Sequence, residues 1–322
     1  MRIWSPGRVN LIGEHTDYAG GLVLPAAIGL GLTVEGEPSR QLMFKSEVPG
    51  VERYVAAVDA ELAALGRPSV GFAGRISSSL PVGAGLSSSA ALEVAIATAL
   101  CAAADFELEP LKLAQAAQRA ETRATGVPCG ILDQAACVLG REGHAVLLDT
   151  STLEHRLVPL PDDVAIVVVD SGVRHRLEHS DYGARRRELE EALAGARSAV
   201  HERRLRHLTT ENERVRRVVQ ALESEPADLA RVGELLRQGH ESLRDDFEVS
   251  TPELDLLVDL AYEHGAIAAR MTGAGFGGSV VVLTRTSDAS VIGASIRDAY
   301  TARTGIQAGV YVTAAADGAH RS

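Results

Sequence analysis

Short apolar runs bounded by glycine or charged residues recur along the chain and predict β-strands. The predicted strands cover residues 21–26, 71–76, 145–149, 164–170, 278–283 and 309–313. The fourth of these contains Ile166, Val167, Val168 and Val169, the strongest β-branched run of the sequence, and β-branched side chains favour strands. Strands are therefore expected in both halves of the chain.

Longer stretches between these runs follow a helical pattern. Residues 90–104 consist almost entirely of Ala, Leu, Val and Ile, which predicts a helix buried on nearly every face. Residues 110–125 predict a second helix that stops at Gly126-Val127-Pro128. Residues 182–222 predict highly charged helix, and further helices are predicted at 228–242, 252–264 and 290–303.

This mixture of strands and helices predicts an α+β fold. With 322 residues the chain is long for one compact core, so two lobes are expected. We place the first lobe at residues 1–160 and the second at residues 161–322. No internal repeat or low-complexity linker interrupts either half.

Composition narrows the function classes. A hydrophobic content of 46% and a charged content of 23% exclude a largely disordered protein. The net charge of -11 disfavours a nucleic-acid partner, and no apolar run reaches the roughly 20 residues of a membrane span. Cys101, Cys129 and Cys137 form no CxxC pair, which argues against a disulfide scaffold or zinc site. With no visible signal peptide, a cytoplasmic protein is expected.

The first chemical motif is residues 5–18. Five side chains with strong hydrogen-bonding groups fall within eleven of its positions: Arg8, Glu14, His15, Asp17 and Tyr18. Carboxylates and His bind hydroxyl groups, and Arg can face an anion. This density predicts a pocket for a small molecule rich in hydroxyls, with a polar surface turn as the alternative.

Two glycine-rich segments follow. Residues 80–91 place glycines and three serines directly before the apolar helix, where backbone N–H groups and the helix dipole can bind phosphate; an ordinary N-cap is the alternative. The segment lacks the Gly-Lys-Ser/Thr ending of a Walker loop. Residues 271–278 form a second glycine-rich loop before a strand. It is a weak signal alone, typical of a turn, but could close over the same phosphates.

One acid stands out in residues 126–134. Asp133 lies among Ile131, Leu132 and Ala135, where a carboxylate is costly to bury unless it is paired. It is therefore a functional candidate, with helix capping as the alternative. Glu121, near the end of the predicted helix before it, has no local feature that distinguishes it from a solvated helical Glu.

In this order the motifs closely resemble the galactokinase family of the GHMP small-molecule kinases, over nearly the whole chain. Residues 7–18 resemble the galactokinase signature, residues 85–91 the ATP-phosphate motif and residues 273–278 the third motif of the superfamily. Residues 129–134 resemble the catalytic-acid segment. Residues 170–175 leading to 180–182, and residues 242–250 and 315–319, are also similar to galactokinases. The resemblance implies the two-lobed GHMP kinase fold with an active site between the lobes.

The resemblance also implies a role for each matching residue. Substrate binding would fall to Glu14, His15, Thr16, Asp17 and Tyr182. The ATP phosphates would lie against Gly83, Ala84, Gly85, Leu86, Ser87, Ser88 and Ser89. Ser89 and Glu121 would hold Mg2+, and Asp133, with Arg8 beside it, would be the catalytic pair facing the anomeric hydroxyl. The lobe of residues 1–160 would then contain the sugar signature, the ATP-phosphate loop and the catalytic Asp, and the lobe of residues 161–322 the third motif.

The implied reaction is ATP-dependent phosphorylation of D-galactose at C1 by a monomer, with ATP and the sugar as small-molecule partners. Ala19 and Gly183 stand where the family commonly has Asn, close to the sugar residues. A related kinase for N-acetylgalactosamine, arabinose or a uronic acid is therefore an alternative. A non-catalytic galactose and ATP sensor is a weaker one, because such sensors have a damaged Ser-Ser-Ser-Ala segment and residues 87–90 are complete here.

Overall fold

The computed structural model describes residues 1–46, 50–81, 83–174 and 180–321. The strands in these ranges are β1 (Arg2–Asn10), β2 (Leu22–Val23), β3 (Pro25–Ser39), β4 (Met43–Ser46), β5 (Gly71–Ser78), β6 (His144–Asp149), β7 (His155–Pro159), β8 (Val164–Arg174), β9 (Ala268–Thr272), β10 (Gly277–Arg285), β11 (Gly309–Thr313) and β12 (His320–Arg321). The helices are α1 (Val51–Ala64), α2 (Ser88–Ala103), α3 (Pro110–Thr125), α4 (Leu132–Leu139), α5 (Ser180–Leu193), α6 (Ala199–Leu222), α7 (Leu229–Asp245), α8 (Pro252–Glu263) and α9 (Ala289–Thr304).

The first sheet has the strand order β12-β1-β3-β5-β4. Its pairs are antiparallel except for β4 and β5, which are parallel. The register of β1 against β3 shifts between Pro6 and Arg8, and beyond this irregularity the Arg8 N–H donates to Leu86 O at 3.2 Å. The irregularity therefore joins β1 to the glycine-rich loop before α2.

A second sheet has the order β11-β8-β10-β9, and β2, β6 and β7 form a third. All strand pairs in both are antiparallel. Helix α2 packs between the first sheet and helices α1, α3 and α4, while α8 and α9 pack on the second sheet. Across the described residues, no helix combines the length and apolar character needed to cross a bilayer.

The α+β mixture is confirmed, and most predicted elements exist with bounds that differ by a few residues. Residues 182–222 are two helices, because α5 ends at Leu193 and Ser198 starts α6 by accepting a hydrogen bond from His201 N. The hydrophobic pattern does not predict the full length of β3, and it misses several elements altogether: β1, β4, β7, β9, β12, α1 and α4. Polar side chains within β1 interrupt the alternation of apolar and polar residues by which a strand is recognised in a sequence.

The chain returns to the first sheet after β11. Residue Ala316 donates its N–H to Ala27 O at 2.9 Å, and β12 pairs with β1 in the register Ile3 to Arg321. The lobe boundary between residues 160 and 161 falls between β7 and β8. This boundary stays a prediction. Residues 315–321 belong to the predicted second lobe, yet they lie against the first sheet.

Candidate active site

One cavity collects most of the predicted sugar-binding and catalytic residues. It lies where the loop after β1, the ends of α3 and α4, helix α5 and the loop between β9 and β10 meet. Its lining is Arg8, Asn10, Glu14, His15, Asp17, Tyr18, Glu121, Cys129, Gly130, Leu132, Asp133, Tyr182, Gly273 and Ala274. The cavity thus brings together residues that are more than 260 positions apart in the sequence, such as Arg8 and Ala274.

Thr16 is the predicted substrate-binding residue that this lining does not include. Its buried hydroxyl lies 2.9 Å from both Gly13 O and Leu22 O. Thr16 therefore closes the loop of the first motif on itself, and its contribution to the site is the shape of that loop.

Asp133 joins two parts of the site. It lies in the first turn of α4, and its Oδ1 accepts a 2.7 Å hydrogen bond from Nε of the buried Arg8. Its Oδ2 accepts a hydrogen bond from Ser87 Oγ, and Arg8 Nη1 donates to Gly85 O at 2.6 Å. The carboxylate thus contacts a cation from β1 and a hydroxyl from the glycine-rich loop.

Glu14 lies at the buried end of the cavity. Its carboxylate oxygen Oε2 is 2.6 Å from Arg270 Nη2 on β9, and both side chains are shielded from solvent. Burial raises the pKa of Glu14, and the charge of Arg270 opposes that shift. Sequence reasoning missed Arg270, since a lone Arg within an apolar strand has no motif around it.

His15 forms the aromatic side of the cavity. Its φ of +61° is uncommon for a residue other than glycine, and its Nδ1 and Nε2 lie 3.1 Å from Tyr18 OH and from Ala274 O. The ring packs 4.7 Å from that of Phe247 and 5.8 Å from that of Tyr182, centroid to centroid. Burial lowers the pKa of His15 to about 3, so the imidazole is neutral near pH 7.

Asp17 faces Asp133 across the cavity. A Cβ at Gly130 would lie 1.5 Å from Asp17 Oδ2, so this approach requires glycine at position 130. The Leu132 N–H donates to the same oxygen at 3.4 Å. Burial, and then the charge of Asp133, raise the pKa of Asp17 to about 6.

The glycine-rich loop leads into the N-terminus of α2. Gly83, Gly85 and Ser87 have φ values of +72°, +74° and +56°, and Val82 lies outside the described residues. Ser87 is the N-cap of α2, yet among the described residues its side chain makes no capping hydrogen bond, because the hydroxyl is directed to Asp133. The first N–H groups of α2 are therefore left for another acceptor, as in an anion site at a helix N-terminus.

Ser89 and Glu121 are brought together as predicted. Ser89 Oγ donates to Glu121 Oε1 at 2.8 Å, and Glu121 Oε2 accepts from Gln134 Nε2 at 2.5 Å. The same amide nitrogen is 3.0 Å from Glu93 Oε2. Burial raises the pKa of Glu93 to about 10 and also raises that of Glu121. Sequence reasoning missed Glu93 and Gln134, although an acid inside an all-apolar helix was a usable signal.

These acids bear on metal binding. In the ranges that the structure covers, no group of three His, Cys, Asp or Glu side chains is arranged to hold a metal ion. Ser89 and Glu121 nevertheless offer two adjacent oxygen donors, and the pKa of Glu121 is raised further by the charge of Asp133. A cation that takes few protein oxygens and keeps several waters, as Mg2+ does, fits this donor set.

A second cavity opens on the other side of Ser89. It is lined by Leu32, Lys45, Ser46, Arg53, Tyr54, Arg75, Ile76, Ser77, Ser78, Leu80, Ser88, Ser89 and Leu92. Its lining combines apolar side chains with three basic residues, Lys45, Arg53 and Arg75. Sequence reasoning did not find this cavity, because its residues come from five separate elements and the segment after β5, without a shared motif.

Asn10 is another residue that sequence reasoning missed. It is 1% exposed and lines the first cavity, yet neither polar atom of its amide has a hydrogen-bond partner among the described residues. Its backbone is fixed by Thr272 Oγ1, which lies 2.9 Å from Asn10 N and 3.2 Å from Asn10 O. The motif of residues 170–175 is described only to Arg174, since His175 lies outside the described residues.

Comparison with protein families and known proteins gives a consistent result. Residues 2–38 match the model described as the galactokinase galactose-binding signature. Residues 52–141 match that of the GHMP kinases N terminal domain, and residues 218–302 that of the GHMP kinases C terminal domain.

Individual relatives agree with these models. The chain is 39% identical to galactokinase of Thermococcus kodakarensis over 94% of each chain, and 39% identical to that of Thermotoga maritima over the full length of both. The crystal structure of Lactococcus lactis galactokinase complexed with galactose superposes with a TM-score of 0.92, at 32% identity, over 100% of this chain and 95% of that one. Methanococcus jannaschii mevalonate kinase shares the fold, with a TM-score of 0.73 at 19% identity over 98% of both chains.

Proposed function

This chain belongs to the galactokinase family of GHMP kinases, and from that premise we propose that it transfers the γ-phosphoryl group of ATP to the C1 hydroxyl of D-galactose. The products are galactose 1-phosphate and ADP. One observation carries this proposal: Asp133 contacts Ser87 of the glycine-rich loop while facing a cavity lined by Glu14, His15 and Asp17. A carboxylate in that position lies between a phosphate site and a hydroxyl-binding site.

The first cavity supplies the sugar site. Glu14 and Asp17 provide carboxylate acceptors for ring hydroxyls, and the Tyr182 phenol, whose pKa is raised by burial, keeps its proton and can donate. The unpartnered amide of Asn10 can both donate and accept. Since galactose and glucose differ only in the direction of one hydroxyl, several fixed polar partners are needed to tell them apart.

The glycine-rich loop and the second cavity supply the ATP site. The phosphates would lie against residues 83–89 and the uncapped N-terminus of α2. The second cavity shares Ser88 and Ser89 with this loop, and it offers apolar side chains for a base and the cations of Arg53 and Arg75. This adjacency supports placing the nucleoside there.

Asp133 would act on the acceptor hydroxyl. The C1 oxygen forms a bond to the γ-phosphorus, the bond to the β–γ bridging oxygen breaks, and ADP leaves with that electron pair. The C1 hydroxyl proton goes to Asp133. Because such transition states are loose, catalysis is mainly alignment and charge neutralisation, and Arg8 supplies a fixed positive charge beside Asp133.

Ser89 and Glu121 would hold Mg2+ when it is bound. Magnesium supplies positive charge on the phosphate oxygens during transfer. The two residues present adjacent oxygens at the start of α2 and on α3, next to the proposed phosphate loop. Cys129, which is 3.6 Å from Glu121 through its sulfur, helps to fix the carboxylate.

The expected monomeric state and cytoplasmic location are part of the same proposal. The proposed chemistry assigns no role to a residue from a second copy of the chain. The cysteines Cys101, Cys129 and Cys137 are all free thiols, which is compatible with a reducing compartment that supplies ATP. Sedimentation velocity tests the monomeric state, and cell fractionation tests the cytoplasmic location.

A panel of free sugars tests the proposal. The purified protein is incubated with ATP, Mg2+ and one of D-galactose, D-glucose, N-acetylgalactosamine, L-arabinose or galacturonic acid, and ADP release is measured. We expect D-galactose to give the highest kcat/KM, with phosphate at C1 by NMR. Faster turnover of another sugar would reassign the substrate, and binding without ADP release for every sugar would overturn the kinase assignment.

A further inference from the structure

Helix α6 has a solvated face and a buried polar face. Glu213 on the exposed side pairs with Arg217 at 2.8 Å, as the charged sequence pattern predicts. The opposite side is different: His207 and Glu211 have no exposure at all, and Asn212 beside them is half-buried. Buried polar side chains are nearly always hydrogen-bonded, so the partners of these three residues indicate what the face does.

Each of the three residues has a partner in the sugar loop, which we define as residues 13–22. Glu211 Oε1 accepts from Gly13 N at 2.9 Å, and Asn212 Oδ1 accepts from Leu22 N at 2.7 Å. His207 Nε2 is 3.1 Å from Glu14 O. His207 and Glu211 are four residues apart and lie on the same face of α6. Asn212 follows about 100° further around the helix, at the edge of that face. We call His207, Glu211 and Asn212 the α6 latch, since they hold both ends of the sugar loop.

The sugar loop has a conformation that needs external support. Gly13 has a φ of +104°, and a Cβ there would lie 2.5 Å from Leu22 O. A Cβ at Gly21 would lie 2.8 Å from Asn212 Oδ1, so the loop packs directly on the latch. Strained residues such as His15, at a φ of +61°, persist only where the surroundings fix them.

The latch also reaches a side chain of the sugar site. Glu211 Oε1 is 2.8 Å from Arg270 Nη2, and the same nitrogen is 2.6 Å from Glu14 Oε2. Arg214 binds the other oxygen of Glu211 at 2.8 Å. Arg270 therefore links the buried side chain of Glu14 to Glu211 of the latch through two ion pairs.

We propose that the α6 latch, together with Arg270, is the positioning element of the sugar site, so that sugar affinity and selectivity depend on a helix face that does not touch the sugar. This inference rests on the proposed function, in which the sugar loop binds galactose. Of the described residues that line the first cavity, none belongs to the latch. The latch acts through the backbone of the sugar loop and through Glu14.

Asn212 gives the sharpest test, because it is half-buried and carries no charge. Asn212→Ala removes the acceptor for Leu22 N, while Asn212→Asp keeps it. Glu213→Ala, on the exposed face of the same helix, is the matched control. We expect Asn212→Ala to raise KM for galactose about tenfold, a loss of about 1.4 kcal/mol, and to lower the galactose-to-glucose selectivity. KM for ATP and kcat should stay within about twofold, and Asn212→Asp should recover most of the loss.

Hydrogen–deuterium exchange supplies a readout that does not need activity. Exchange across residues 13–22 should accelerate in Asn212→Ala and not in Glu213→Ala, with thermal unfolding confirming that both fold. Unchanged exchange and an unchanged KM for galactose would overturn the inference. If the wild type phosphorylates no sugar, the proposed function fails while exchange still decides whether the latch holds the loop. Should Asn212→Ala not fold, Asn212→Ser provides the same comparison.

Discussion

Arg8 donates from Nε to Asp133 Oδ1 at 2.7 Å and from Nη1 to Gly85 O at 2.6 Å. A single guanidinium therefore fixes the proposed catalytic carboxylate relative to the proposed phosphate loop. The planar fork of an Arg side chain suits this double contact, which a Lys could not reproduce. The Ser87 hydroxyl, which donates to Asp133 Oδ2, adds a second link between the proposed base and the proposed phosphate loop.

Asp133→Asn should lower kcat by roughly two or more orders of magnitude, the range of a positioned general base, with galactose and ATP affinities changed little. Asn keeps an oxygen acceptor for Arg8 Nε but cannot take the C1 proton. Coupled ADP release and calorimetric binding measure the two effects. Asp298→Asn, on the exposed side of α9, is the control. A kcat within a few-fold of wild type would remove Asp133 from the catalytic role.

Ser89→Ala and Glu121→Ala should each raise the Mg2+ concentration for half-maximal activity about tenfold or more, since each removes one of two proposed oxygen ligands. Galactose binding without ATP should be unchanged. Glu109→Ala, at the exposed start of α3 where no side-chain cap is made among the described residues, is the matched control. Titrating Mg2+ at saturating ATP checks this. Equal Mg2+ requirements in all four proteins would contradict the assignment.

Tyr182→Phe should raise KM for galactose about 5- to 50-fold, the loss of one buried hydrogen-bond partner, with a smaller change in KM for ATP. The ring remains to pack on His15 and Tyr18, so the fold should be kept. Tyr311→Phe, on β11 in the second sheet, serves as control. Steady-state kinetics with each substrate varied in turn decide the matter; a larger effect on ATP than on galactose would move Tyr182 out of the sugar site.

Asp17 should make stability depend on pH in a predictable direction. Its folded pKa of about 6 lies above the ordinary 3.8, so the folded state binds the proton more tightly than the unfolded state. The stability gained from that proton is complete below pH 3.8 and is lost as pH rises through about 6. Asn at position 17 carries no charge at any pH, so Asp17→Asn should raise the free energy of unfolding above that of the wild type. This gain should be about 1–2 kcal/mol larger at pH 7.5 than at pH 4. The same substitution should weaken galactose binding.

Thermal unfolding of both proteins at the two pH values measures this difference. Asp317→Asn is a suitable control because Asp317 is half-exposed and far from Asp17 in sequence, near the first sheet. The prediction is contradicted if the stability that Asp17→Asn gains over wild type is no larger at pH 7.5 than at pH 4. KM for galactose in the wild type should also rise as pH falls through about 7 and then about 6. Glu14 and then Asp17 take up a proton over this range, and a protonated carboxyl group no longer offers two acceptor oxygens.

The sequence predicted what local motifs encode. The dense polar signature, the serines before α2 and the isolated Asp133 were each recognisable, and the structure brings most of them to one cavity. Arg270, Glu211 and Asn212 were not recognisable, because their roles come from strands and helices meeting at a sequence distance of about two hundred residues or more. The sequence positions of these three residues do not indicate that they lie near the first motif in the folded protein.

The same limit applies to the fold. Helix α3 follows from its own composition and its glycine stop, and its bounds agree with the prediction. Strand β1 does not, because Arg8 and Asn10 are buried by partners supplied from elsewhere. A polar residue inside a strand weakens the strand's alternation in sequence. The residues that bury it, such as Asp133 beside Arg8, come from distant elements.

The pairing of β12 with β1 has a consequence for the order in which the molecule assembles. The edge of the first sheet at β1 is covered by residues 320–321, and Ala319 N binds Cys137 O at 2.8 Å. Closing a contact over some three hundred residues is entropically costly and slow. Until it forms, β1 presents an open edge to other chains. A truncation that removes residues 315–321 would therefore leave this edge uncovered in the folded protein as well, and aggregation during refolding should rise.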